Sequence, residues 1–258
     1  MLIDSHCHLN YPGLVEDEGG VLARARAAGV GLMISISTRR AEWEAVIGGA
    51  HRHADVVATV GIHPHEADGH ADVGTGELVS AARDPRVVGI GESGLDYFYD
   101  RSDRGQQQAS FRAHVRAARE TGLPLVVHCR DAEEDTVRIL EEEMATGTFP
   151  FLIHCFTGTQ WLADQALALG GYVSLSGIVT FRNAHDLRAV AATLPADRLL
   201  VETDAPFLAP VPARGKTCEP AHVAHTAAFL AALRATSPEA LAAETTANCR
   251  RLFTRLPA

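Results

Sequence analysis

Short apolar runs rich in β-branched residues recur eight times along this chain, and each is followed by a stretch with helical spacing. The predicted strands are 2–5, 31–35, 56–61, 87–91, 124–127, 151–153, 172–175 and 199–202. Each run is continuous rather than alternating, as a strand covered on both faces reads. Between them lie predicted helices, among them 106–120, 132–144 and 160–169, with 221–235 and 238–253 closing the chain. Gly122, Gly147 and Gly170 stand where helix C-caps are expected, Thr159 and Ser237 where N-caps are. Eight strand–helix units of roughly 20 to 40 residues predict an α/β fold of the (β/α)8 TIM-barrel type. The alternative, a doubly wound open sheet, would carry about five to seven strands and a ligand crevice. Without a linker rich in Pro, Ser or Gly, residues 1–258 are expected to form a single domain.

Composition narrows the class further. The 258 residues are 47% apolar and 21% charged, which excludes a disordered chain and a coiled coil. The sequence has no long uncharged apolar run to cross a membrane as a helix. The five cysteines form no C-x-x-C, so neither a disulfide framework nor a thiolate zinc ribbon is indicated. Met1 leads straight into a strand with no basic n-region, which gives the cytoplasm as the expected location. Lys and Arg total 23 against 32 Asp and Glu, a formal charge of −9. That excludes a broad basic face for nucleic acid, so a polyanionic substrate would be met locally by metal ions and a few cations.

In a parallel barrel the active site lies at the C-terminal ends of the strands. Five of the eight predicted strands end there in a strong metal ligand or a carboxylate: His6-Cys7-His8, Glu92, His128, His154, and Glu202 with Asp204. A third-strand cluster, His63-Pro64-His65, occupies the same position. Alternation in an extended strand puts His6 and His8 on one face and Cys7 on the other. Alone, such a pair is more often a buried hydrogen-bonded couple than a chelate. His128 and His154, at the ends of neighbouring strands, shift the balance toward ligands, and Glu92 and Asp204 supply the charge that bound cations neutralise. Four His and two carboxylates exceed one tetrahedral site and suit two divalent ions bridged by a carboxylate and a water, with Glu92 as the natural bridge. The donor set does not select among Zn, Mn, Mg, Fe and Ni.

With these residues the chain resembles the TatD family of metal-dependent nucleases, among the amidohydrolase-like barrels. The resemblance rests on seven blocks in register: Asp4–His8 with Leu9, Gly61–His65, Gly91–Tyr97, His128–Ala132, His154–Gly158, Glu202–Pro206, and Arg214-Gly215-Lys216 followed by Glu219-Pro220. It implies that His6, His8 and Asp204 hold a first ion, that His128 and His154 hold a second, and that Glu92 bridges both. His63 is implied as a substrate contact beside the ions. Cys218, Ala247 and Cys249 depart from the family's usual residues and bear on loop packing.

The implied reaction is hydrolysis of a phosphodiester with two divalent ions, Mg, Mn or Zn, and the implied substrate is the 3′ end of single-stranded DNA or RNA. Asp204 is the expected proton shuttle, with a purely ligating role as its alternative. Arg130 offers a fork to phosphate or a salt bridge to Asp131; Arg214 and Lys216 are expected substrate contacts at the mouth, or else solvated loop charges. Asp96 and Tyr97 either orient Glu92 or cap the next helix. No membrane and no obligate protein partner is implied. A dinuclear hydrolase of another ester or amide, such as an aminoacyl-tRNA deacylase or a cyclic amidase, is the competing enzyme reading, and a non-catalytic metal-binding protein the third. His51, His53, His70, His114, His185, His222 and His225 read as surface residues, and 133–135 with 141–143 as the solvated face of one helix. Trp43 and Trp161 read as packing residues, and Cys7, Cys129 and Cys155 as the layer behind the ligands.

Overall fold

The computed structural model describes residues 1–257. Its strands are β1 (Leu2–Cys7), β2 (Val30–Ser35), β3 (Val56–Val60), β4 (Val87–Asp96), β5 (Leu125–Arg130), β6 (Phe151–Ile153), β7 (Tyr172–Leu175) and β8 (Leu199–Val201). They pair in parallel in the order β1 to β8. Helices α1 (Glu18–Ala27), α2 (Trp43–Arg52), α3 (Thr75–Ala81), α4 (Arg104–Thr121), α5 (Glu133–Met144), α6 (Gln160–Ala168) and α7 (His185–Thr193) each separate two successive strands; α8 (Val223–Leu233) and α9 (Pro238–Leu252) follow β8. This is the (β/α)8 TIM barrel. Thr159 and Ser237 cap α6 and α9 by accepting from Leu162 N and Ala240 N, and Gly122 ends α4 at φ +69°.

Alternation along the strands sorts the apolar residues into two layers. Ile3, Leu32, Ile34, Val57, Val88, Val126, Leu152 and Leu200 fill the barrel interior, where Phe253 and Leu252 from the end of α9 plug the base. Their strand neighbours, among them Leu2, Met33, Val56, Leu125, Phe151 and Leu199, face the helices instead. The lower interior is therefore apolar, buried hydroxyls such as Ser5 and Ser174 lie above it, and the imidazoles and carboxylates gather at the opposite end.

Two local features aim those side chains. The β1–β2 register shifts between Asp4 and Cys7, and the shift turns His6 and His8 inward in a strand whose Ile3 is also inside. The β8–β1 seam has an isolated bridge, Cys7 to Ala205, in place of a regular ladder. Around it Asp204 N donates to His6 O at 2.9 Å and His8 N to Ala205 O at 2.8 Å. The buried Asp4 carboxylate completes the seam, accepting from Thr203 N at 2.9 Å and Thr203 Oγ1 at 2.6 Å. Burial pushes Asp4 up to about 8 in spite of these bonds.

Candidate metal centre

Glu92, 2% exposed on β4, stands at the middle of the upper barrel and divides its two oxygens between two sets of imidazoles. Its Oε1 lies 2.7 Å from His154 Nε2, 2.9 Å from His128 Nδ1 and 3.3 Å from His63 Nε2. Its Oε2 lies 3.3 Å from His6 Nε2 and 3.9 Å from His8 Nε2. Asp204 Oδ1 approaches the second set from the β8 side, 3.4 Å from His8 Nε2 and 3.6 Å from His6 Nε2. Burial disfavours ionisation of Glu92, but His154, His63 and His128 outweigh it and hold the carboxyl well below the usual range.

Within each set, ring nitrogens face one another: His6 Nε2 and His8 Nε2 at 3.3 Å, His154 Nε2 and His128 Nδ1 at 3.4 Å. Two neutral imidazoles can meet this way only as donor and acceptor, whereas a cation between them satisfies both lone pairs and the adjoining carboxylate oxygen. His6, His8 and Glu92 form one such convergent group, and His63, Glu92 and His128 another. The donor chemistry fits divalent metal ions.

Three of the rings, His8, His128 and His154, have an oxygen behind them. His8 Nδ1 lies 3.3 Å from Ile36 O, which leaves Nε2 free to face inward. His128 Nε2 lies 3.1 Å from Asp96 Oδ2, so its inward atom is Nδ1. The same Asp96 oxygen is 2.9 Å from His65 Nε2. His154 Nδ1 is 3.4 Å from Glu202 Oε1, an oxygen that also accepts from Cys155 N at 2.6 Å. Burial opposes the charge on His154, yet Glu92 and Glu202 raise its pKa well above the ordinary value. Burial instead lowers His63 to about 4.

The structure thus brings together His6, His8, Glu92, His128, His154 and Asp204, with His63 against Glu92. Above them opens a cavity of about 810 Å³ whose rim includes Arg39, Arg101 and Arg130. Arg130 lies over Phe98, 4.1 Å from the ring centroid, in place of a bridge to Asp131. Arg214 and Lys216 are not on the cavity wall: Arg214 stacks on Phe181 at 3.7 Å, and Lys216 faces solvent. The loop after β8 reaches the cavity through Phe207 and Leu208 instead, and the guanidiniums that line it are Arg39 after β2, Arg101 after β4 and Arg130 at the end of β5.

Four other expectations are corrected. His114 is fully buried on α4, its Nε2 accepting from Ile62 N at 2.9 Å beside His63. Glu143 is 4% exposed beneath Arg112, Arg116 and Arg119 rather than on a solvated face. Cys155 lines the cavity, because β6 ends at Ile153 and strand alternation no longer governs residue 155. Trp161 is 44% exposed, whereas Trp43 is buried with Nε1 donating to Gly61 O.

Asp96, Glu202 and His65 are the supporting residues to which sequence reasoning gave no role or only an undecided one. A signal for Asp96 was present, since it stands four residues after Glu92 and shares its face in an extended strand.

A family model described as "TatD related DNase" matches residues 3–254. The chain belongs to the TatD family. Its TatD relatives include YcfH of Escherichia coli K12, named an uncharacterized metal-dependent hydrolase. That protein is 44% identical over 255 residues, covering 98% of this chain and 95% of its own. A Citrobacter koseri relative named 3′-5′ ssDNA/RNA exonuclease TatD is 36% identical over 260 residues, 98% of both chains. Among solved structures, the TatD homologue YJJV of Escherichia coli superposes with a TM-score of 0.92 at 30% identity over 98% of each chain. No helix among the described residues is long and apolar enough to cross a membrane.

Proposed function

We propose that this TatD-family protein is a divalent-metal-dependent hydrolase that removes nucleotides from the 3′ end of single-stranded DNA or RNA. The observation that carries the reading is the division of Glu92 between two imidazole sets. His6, His8, Asp204 and Glu92 Oε2 would hold one ion, and His128, His154 and Glu92 Oε1 a second. Such ions supply Lewis-acid polarisation of the phosphate and activate water at neutral pH.

The chain's own groups do the rest. Asp204 lines the cavity with its carboxylate partly exposed, and His8 holds it ionised against the effect of burial, so it can take the proton of an attacking water. His63, neutral because of its burial, can donate a hydrogen bond to a phosphate oxygen or the leaving group. Arg101 and Arg130 at the rim offer charge to neighbouring phosphates. The relative named as a single-strand exonuclease supports the same substrate and polarity. Buried carboxylates at the base and guanidiniums at the rim also suit a chain with net charge −9, which can grip a strand end but not track a duplex.

The test uses metal-stripped protein reloaded separately with magnesium, manganese or zinc and given oligonucleotides labelled at either end. The expected result is stepwise shortening from the 3′ end with at least one ion, abolished in Glu92→Ala. Intact oligonucleotides with every ion would overturn the phosphodiesterase reading.

A further inference from the structure

Large apolar side chains seldom stay in water without a task when they gather at one place. Two exposed rings line the cavity, Tyr99 at 48% and Phe207 at 50% exposure, and a third, Phe98 at 54%, packs beside Tyr99 and Arg130. They stand on opposite sides. Phe207 follows β8 and meets Tyr11, which follows β1, edge-on with centroids 6.1 Å apart. Tyr11 in turn stacks on the metal-facing ring of His8 at 4.7 Å. Phe98 and Tyr99 follow β4, four strands away around an eight-stranded barrel, and pack edge-to-face at 4.9 Å. Tyr99 meets His65 edge-on at 5.4 Å.

The second wall is also charged. The Arg130 guanidinium lies 4.1 Å from the Phe98 centroid and 4.8 Å from that of Tyr99, and Arg101 lies 5.3 Å from Tyr99. Among the described residues neither guanidinium is paired with a carboxylate; aromatic faces hold them instead. Interleaved rings and free guanidiniums are the surface on which unpaired bases stack while their phosphates are neutralised. A lipid or peptide groove would not need the cations, and a free phosphate would not need the rings.

We propose that Phe207 on one wall, and Phe98 with Arg130 on the other, form a two-sided stacking clamp for the unpaired bases of a single-stranded nucleic acid. The clamp rests on the nuclease reading above and adds how the site selects its substrate. Bases held by the rings leave the terminal phosphodiester to reach Glu92 and Asp204. A paired base has its faces occupied by its neighbours in the stack and cannot enter, so duplex is refused at the rim.

The test measures binding of a fluorescent octathymidylate with phosphorothioate linkages to the magnesium-loaded protein, beside the same chain with abasic residues. The wild type should bind the base-bearing strand about tenfold more tightly or better, since one stacked base contributes that much. Phe207→Ala and Phe98→Ala should each lose most of that preference, while Phe207→Trp restores it. Arg130→Gln should weaken both strands together and flatten the salt dependence. Phe98 and Phe207 are exposed and Arg130 is half-buried, and circular dichroism checks that the variants are folded. Equal affinity of the wild type for both strands, or an undiminished preference in the alanine variants, would overturn the clamp even while hydrolysis proceeds. A wild type that neither binds nor shortens any oligonucleotide would overturn the nuclease reading and the clamp with it.

Discussion

Glu202 shows how much of this centre is decided by single atoms behind the inward-facing rings. One buried oxygen accepts from Cys155 N and faces His154 Nδ1, fixing both the loop after β6 and the ring it carries. Glu202→Gln keeps the volume but removes the charge opposite Nδ1, and should weaken metal binding by about 10- to 100-fold, the usual cost of losing such a partner. Titration against a chromophoric chelator measures this, and unchanged affinity would reduce Glu202 to an acceptor for the loop. His114 acts further out, tying Ile62 N to Ser110 O and so fixing the backbone that carries His63. Burial lowers its pKa to about 4, so between pH 6.5 and 4 the unfolded chain binds a proton that the folded one refuses. Stability from this group is complete above pH 6.5 and is lost as the pH falls through that window, by at most about 3 kcal/mol. His114→Gln, which keeps an acceptor and does not titrate, should therefore lose less stability to urea between pH 6.5 and 4; parallel curves would contradict the assignment. The inward-facing residues were legible because strand ends in a barrel have one destination. Glu202 and His114 were not, since their roles depend on which loop or neighbouring strand end comes to lie against them.

Among the strands, β4 departs furthest from its expected bounds, while β1 and β5 run two and three residues beyond theirs. β4 was expected to stop at Gly91 and instead runs to Asp96, with Gly94 paired to His128 across the ladder. Glycines in an apolar run read as a stop, but here they let two backbones approach. Gly94 sits at φ +147°, and a Cβ on it would overlap the carbonyl of His128. Gly94→Ala should cost about 2 kcal/mol or more and displace His128 from Glu92. Thermal unfolding should show the loss, and weaker metal uptake should accompany it; normal uptake would mean that β5 gives way without moving the ring. The five helices given bounds were legible to within two residues at each end, helped by Thr159, Ser237 and Gly122, which mark three of those ends chemically. The register shift in β1 was not, for it is set by the seam that Asp4 and Thr203 make with the far end of the chain.

At the scale of the whole molecule, eight strand–helix units settle the barrel, and the barrel settles which end is the site. Its lower interior is plugged by Phe253 and its neighbours, so chemistry is confined to the upper end, where Glu92 divides its oxygens between two imidazole sets. What composition could not show is the mouth: Arg39, Arg101 and Arg130 are separated in sequence and line one cavity because the strand ends that carry them share one rim. The proposed chemistry therefore turns on Glu92 serving two ions at once. Equilibrium metal titration of the stripped protein, followed by oligonucleotide shortening at each step, tests this most directly. Two divalent ions per chain are expected in the wild type, with turnover appearing as the second site fills. Glu92→Gln should weaken both sites, and His128→Ala only one. A single ion at saturation, or two ions retained at full affinity in Glu92→Gln, would contradict the bridging carboxylate.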